Sequence, residues 1–177
     1  SEKVAGKGVK KLEAAGIKVS IGTCEKQARL LNAAFIKHCT TGLPWVILKW
    51  AQTIDGKLSA AGLPDRQRWI TNEASRKDTH KLRRSCQAIL VGIDTALADD
   101  PLLTARDTKG RNPIRVILDS KLRIEPKLRL FSTIDEADLL IVTTKKAFDK
   151  NLNKVKEIIA GDAEILALDQ DEDGRCC

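Results

Sequence analysis

Five short apolar runs, separated by polar stretches with helical spacing, limit what this chain can fold into. They are WVILKW (45–50), AILVGI (88–93), IRVILD (114–119), DLLIVTT (138–144) and EILALD (164–169). Each suits one strand, and the near-continuous apolar character is that of strands buried on both faces. Between them lie helical patterns. One runs from Asn72 to Arg84 behind a cap at Thr71, with Glu73 in the first turn and Arg83 and Arg84 in the last, where each suits the helix dipole. A short helical turn starts near Asp94 or Thr95 and ends before Pro101, and an amphipathic helix spans Lys146 to Ala160. Strands alternating with helices predict an α/β fold with a mainly parallel sheet covered on both faces.

The first part of the chain has a different texture. Residues 4–15 have helical spacing up to Gly16, after which Ile17, Val19 and Ile21 alternate with polar residues as in a short strand. From Glu25 to Cys39 the residues Ala28, Leu31, Phe35 and Ile36 share one helical face. That pattern stops at TTGLP, where Gly42 and Pro44 cannot continue a helix. A domain boundary is expected near residue 43.

Composition narrows the partners. Apolar residues make up 42% and charged residues 31% of 177, as in a globular protein and unlike disordered or collagenous chains. No apolar run approaches the ~18–20 residues of a membrane helix, and no apolar segment follows the basic start as in a secretory signal. A cytoplasmic location without a membrane partner is therefore expected. The net charge of +7 suits anionic partners. Phe35, Phe131, Phe148, Trp45, Trp50 and Trp69 are not interleaved with Lys and Arg, so nucleic acid is not the expected one. Cys24, Cys39, Cys86, Cys176 and Cys177 form no C-x-x-C pair and read as reduced thiols; His38 and His80 lack nearby partners, and no metal site is predicted. With no methionine in the chain, Ser1 is not expected to be a natural start.

Four places break local rules. Lys49 puts an ammonium in an apolar strand, which demands an anionic or carbonyl partner or a snorkelling exit at the strand end. Asp55-Gly56-Lys57 is a turn signal. Trp69 precedes a helix N-terminus, either as a packing staple or against a flat ligand. The stretch GIDTALADDPLLTAR (92–106) opens a strand into a turn dense in Thr95, Asp99, Asp100, Thr104 and Arg106. It is either a capped surface turn or the place beyond strand ends where α/β sheets bind ligands. Neither G-x-G-x-x-G nor a phosphate-binding P-loop is present, nor the H-x-E and P-C-x-x-C of zinc deaminases.

Read in order, LKWAQTIDGKLS (48–59), RWITNEASRKDTHKLR (68–83), AILVGIDTALADDPLLTAR (88–106) and PIRVILDS (113–120) resemble the bifunctional riboflavin-biosynthesis deaminase/reductase family. Upstream, VAGKGVKKLEAAGIKVSIG and EKQARLLNAAFIKHCTTGLP are similar to the end of that family's deaminase domain. The resemblance implies residues 1–43 as the tail of a cytidine-deaminase-like α/β domain and 44–177 as part of a dihydrofolate-reductase-like domain with a mainly parallel sheet flanked by helices. It implies NADPH-dependent reduction of the ribosyl chain of 5-amino-6-(5-phosphoribosylamino)uracil to ribityl, a small phosphorylated pyrimidine as substrate, and zinc only in the absent deaminase portion.

Carried over position by position, the resemblance makes Ala51, Trp69, Thr95, Asp99 and Ser120 cofactor contacts, and Arg83, Leu103 and Arg106 substrate contacts. Arginine forks suit a phosphate, and Lys49 and Asp99 are the candidates for supplying or tuning the proton that accompanies hydride transfer. Three departures stand out. The loop from Lys57 to Trp69 is about two residues longer than the family's, with Gln67 where a serine touches substrate, so no role passes to Gln67. Trp50 replaces a small residue, and Asp94 puts a negative charge near a phosphate site. The family's zinc motifs are expected upstream of Ser1 and its glutamate-glycine-glycine segment beyond Cys177; sheet edges exposed by truncation would favour a homodimer. The competing reading is a catalytically inactive binding module that retains the fold.

Overall fold

The computed structural model describes residues 6–58, 70–106 and 110–176. They fall into two compact units, Ser1–Leu58 and Ser59–Cys177, each taken by itself below.

The first unit holds α1 (Lys7–Ala14), α2 (Glu25–Leu31) and α3 (Ala33–Thr41), followed by irregular chain and a turn at residues 53–57. The single helix expected from Glu25 to Cys39 is interrupted at Asn32. Its side-chain amide donates to the Ala28 carbonyl at 2.8 Å, a local bond that competes with helix continuation. The strand expected at 17–21 is not formed, and neither is the one at Trp45–Trp50, which has no ladder partner among the described residues. Trp45 instead lies under the Lys37 ammonium, 5.9 Å from its ring centre.

The second unit starts with α4 (Glu73–Ser85) and continues through β1 (Ala88–Gly92), α5 (Ile93–Asp99), β2 (Ile114–Leu118), β3 (Leu139–Thr144), α6 (Lys145–Lys150), α7 (Leu152–Ala160) and β4 (Glu164–Leu168). The cap of α4 is Asn72 rather than Thr71: the Asn72 carboxamide oxygen accepts the Ser75 N–H at 3.0 Å. The expected helix from Lys146 to Ala160 divides at Asn151, whose amide donates to the Ala147 carbonyl at 2.7 Å, as Asn32 does in the first unit. Four strands pair in parallel in the order β1-β2-β3-β4, with Leu90 opposite Val116, Ile117 opposite Ile141 and Val142 opposite Leu166.

Sequential parallel neighbours joined by crossovers of one hand carry their connections on one face. That face holds the core. Ile117, Leu139 and Ile141 of the strands pack with Ile93 and Ala96 of α5, Ala147 of α6 and Val155 and Ile158 of α7. The registered opposite face keeps Leu90, Leu118 and Leu166 exposed. Cover on both faces, expected from the apolar runs, is thus observed on one among the described residues. None of the described helices is long and apolar enough to cross a membrane.

Candidate functional site

The segment leaving α5 is anchored from several elements of the second unit. Asp100 and Leu103 adopt left-handed backbone, φ 39° and 58°, which costs a side-chain-bearing residue energy and persists only where neighbours enforce it. The neighbours are specific. The Asp100 carboxylate accepts the Arg129 N–H at 2.8 Å, the Leu102 carbonyl accepts from Arg115 at 3.3 Å, and the Thr104 carbonyl accepts from Arg83 at 3.3 Å. The Ala105 N–H donates to Asn112 Oδ1 at 2.9 Å, while the Asn112 amide donates to the Glu136 carbonyl at 2.9 Å. Leu103, Thr104 and Ala105 are consequently buried and Arg106 emerges exposed beside them.

Two arginines meet at this loop. Burial and the neighbouring Arg106 charge both weaken Arg83's hold on its proton. Arg83 is fixed to the loop at the Thr104 carbonyl and Arg106 follows two residues later, so both cations belong to the same segment.

The loop rests on Arg115, a fully buried side chain within β2. Its guanidinium donates to the carbonyls of Leu102, Leu130, Thr133 and Ala137 and to the Thr133 hydroxyl. Burial disfavours its cation, with the charges of Glu136 and Asp138 acting the other way. No sequence reading had singled it out. The signal was available, a cation inside the apolar run IRVILD, the same one that drew attention to Lys49.

A second cluster lies at the carboxyl ends of β1 and β2. Thr95 stands exposed in the first turn of α5, next to Asp94. Past β2, buried Asp119 accepts the Ile124 N–H at 2.7 Å through Oδ2, and its carbonyl accepts the Leu122 N–H at 3.0 Å, shaping the turn that carries Ser120. The Ser120 carbonyl accepts from the Thr144 hydroxyl at 2.9 Å and its own hydroxyl accepts the Cys176 N–H at 3.3 Å. Asp94 and Arg123 join the two strand ends through an ion pair of 2.6 Å.

The expected site residues are thus divided. Arg83, Thr95, Asp99, Leu103, Arg106 and Ser120 belong to the second unit, with Asp99 exposed as the last residue of α5. Lys49 and Ala51 belong to the first, where Lys49 is exposed rather than enclosed in a strand, so the burial argument for it lapses. Trp69 and Gln67 lie outside the described residues. No group of three or more His, Cys, Asp or Glu among the described residues is placed to hold a metal ion.

Comparison with known proteins decides the family. Residues 44–172 match the RibD C-terminal domain. The chain belongs to that family. It is 43% identical over 155 residues to the riboflavin biosynthesis protein RibD of Aquifex aeolicus, covering 87% of this chain and 42% of the relative. The RibD of Bacillus amyloliquefaciens is 48% identical over 122 residues, covering 68% of this chain and 32% of that one. Among solved structures, a diaminohydroxyphosphoribosylaminopyrimidine deaminase/5-amino-6-(5-phosphoribosylamino)uracil reductase from Thermotoga maritima superposes with a TM-score of 0.70 at 33% identity, over 93% of this chain and 50% of that one. The RibD of Acinetobacter baumannii gives 0.68 at 32% identity, over 92% and 44%. This chain spans less than half the length of the curated relatives it matches, and family membership agrees with the α/β fold of parallel strands and helices.

Proposed function

We propose that this chain carries reductase elements of a riboflavin-pathway enzyme that converts the ribosyl chain of 5-amino-6-(5-phosphoribosylamino)uracil to ribityl with NADPH. The observation that supports the reading best is the loop at Leu103, which the Arg83 guanidinium grips at the Thr104 carbonyl and which presents exposed Arg106 two residues later. Guanidiniums carried at one loop suit a phosphate monoester, which takes bidentate bonds from arginine. Leu103, a substrate contact by resemblance, has its side chain in the core at 3% exposure, so any contact it makes with a ligand would be through its backbone. In this reading residues 1–43 are the tail of a deaminase domain and 44–177 part of the reductase domain.

The donor set at the carboxyl ends of β1 and β2 fits a dinucleotide. Hydroxyls of Thr95 and Ser120 and the cations of Lys121 and Arg123 gather where α/β sheets receive cofactor phosphates. NADPH, when bound, supplies the hydride. The chain's own part is to hold the substrate phosphate, fix the reacting carbon against the cofactor site and move a proton, for which Asp99 is the candidate within the second unit. Trp69 and Ala51 would contribute further cofactor contacts.

The test uses the full chain with the phosphorylated substrate. Arg83→Ala and Arg106→Ala should each raise KM on the order of tenfold with a smaller change in kcat, the pattern of lost binding rather than lost chemistry. Titration with NADPH should quench tryptophan emission through Trp69. Absence of both cofactor binding and turnover would favour the inactive binding module instead.

A further inference from the structure

Asp94 stood out in the sequence as a negative charge near a phosphate site, and the fold gives it a partner. It sits in the first turn of α5, just past β1, and its carboxylate meets the Arg123 guanidinium at 2.6 Å from the segment that follows β2. Both side chains are solvent-accessible, Arg123 by 45% and Asp94 by 86%, so either can re-pair with an incoming ligand. In Rossmann-type dinucleotide sites, which bind at the same end of a parallel sheet, an arginine receives the extra phosphate of the phosphorylated nicotinamide cofactor. An acidic residue there accepts from the ribose hydroxyls and repels that phosphate. Here the two opposing readers are bonded to each other.

We propose that the Asp94–Arg123 pair is the element of this chain that sets discrimination between NADPH and NADH, with Asp94 competing against the ribose phosphate for Arg123. The inference rests on the cofactor reading given above. In the unliganded pair Arg123 is held by a carboxylate through Nη2 while its side chain stays 45% exposed, open to a second acceptor. An arriving phosphate takes Arg123 but must sit beside Asp94, so the gain from one is offset by repulsion from the other. The expected consequence is a chain that separates the two cofactors weakly.

The experiment is calorimetric titration of the full chain with NADPH and, separately, with NADH, so that binding is read without turnover. Asp94→Asn keeps size and polarity and removes the repulsion; it should raise the preference for NADPH on the order of tenfold, as expected for one charge-assisted bond gained. Arg123→Ala leaves the carboxylate alone and should move the preference toward NADH by a similar factor. Both sites are exposed, and an unchanged melting temperature verifies the fold of each variant. Unchanged NADPH-to-NADH ratios in both variants, with the wild-type chain binding either cofactor, would overturn the proposal and leave the reductase reading standing. Binding of neither cofactor by the wild-type chain would instead overturn the cofactor reading, and this inference with it.

Discussion

Two apolar runs of this chain each enclose one cation, WVILKW with Lys49 and IRVILD with Arg115, and they end in opposite conditions. The second forms β2, paired to β1 on one side and β3 on the other, with Arg115 fully buried. The first is irregular, unpaired among the described residues, and exposed at Lys49. What differs is the supply of partners for polar groups. A central strand satisfies its backbone on both edges, and the five acceptor atoms around Arg115 lie within reach of one planar fork. A lysine offers one compact ammonium and cannot span such a ring of carbonyls. A cation in an apolar run therefore marks a buried anchor when its donors have several fixed acceptors to meet, and otherwise stays in water.

The comparison is broken most severely at Arg115. Arg115→Met keeps volume and apolar stem but strands the carbonyls of Leu102, Leu130, Thr133 and Ala137, and should destabilise the second unit by roughly 3–5 kcal/mol in urea titration. Arg115→Lys should recover only part of that loss, because charge without the fork reaches fewer acceptors. A cost below about 1 kcal/mol for the methionine variant would show that the carbonyls find other partners and that Arg115 does not anchor the loop.

Smaller effects are expected where a single side chain ties the site to the sheet. Asp119→Ala frees the Ile124 N–H inside the protein and should cost about 2 kcal/mol, whereas Asp119→Asn retains an acceptor and should cost clearly less. Asn112→Ala removes the bridge between the Ala105 N–H and the Glu136 carbonyl; about 1–2 kcal/mol is expected in the same titration. If the Asn112 bridge positions Arg106, that variant should also raise the substrate KM while leaving kcat nearly intact. Equal stability of Asp119→Ala and Asp119→Asn would sink the role given to the Ile124 bond.

The strands of the sheet were legible because their apolar runs are bounded and short, and the parallel pairing followed from the helix between β1 and β2, those between β3 and β4, and the long connection between β2 and β3. Helix continuity was less legible. The interruptions at Asn32 and Asn151 depend on one side-chain bond each, and apolar periodicity carries through such a break unchanged. The same limit applied to the cap of α4, where Thr71 and Asn72 are both capable and only geometry selects Asn72. Of the proposed site, Arg106 drew attention through the dense turn at 92–106, while Arg83 and Leu103 entered only through family resemblance. Arg115 and Asn112 were missed because their value lies in carbonyls far away in sequence, at Leu130, Thr133, Glu136 and Ala137.

The mildest test sharpens the contrast from the other side. Lys49→Ala should change stability by less than about 0.5 kcal/mol, as expected for an exposed side chain without a fixed partner. Amide exchange gives the same comparison without mutation. The N–H groups of residues 114–118 bond within a ladder and should exchange only with opening of the sheet, while those of 45–50 should exchange close to the rate of an open chain. Protection of 45–50 equal to that of 114–118 would mean that WVILKW pairs as a strand in solution. Lys49 would then face the burial cost that its present exposure avoids, and its candidacy for proton transfer would regain a physical basis.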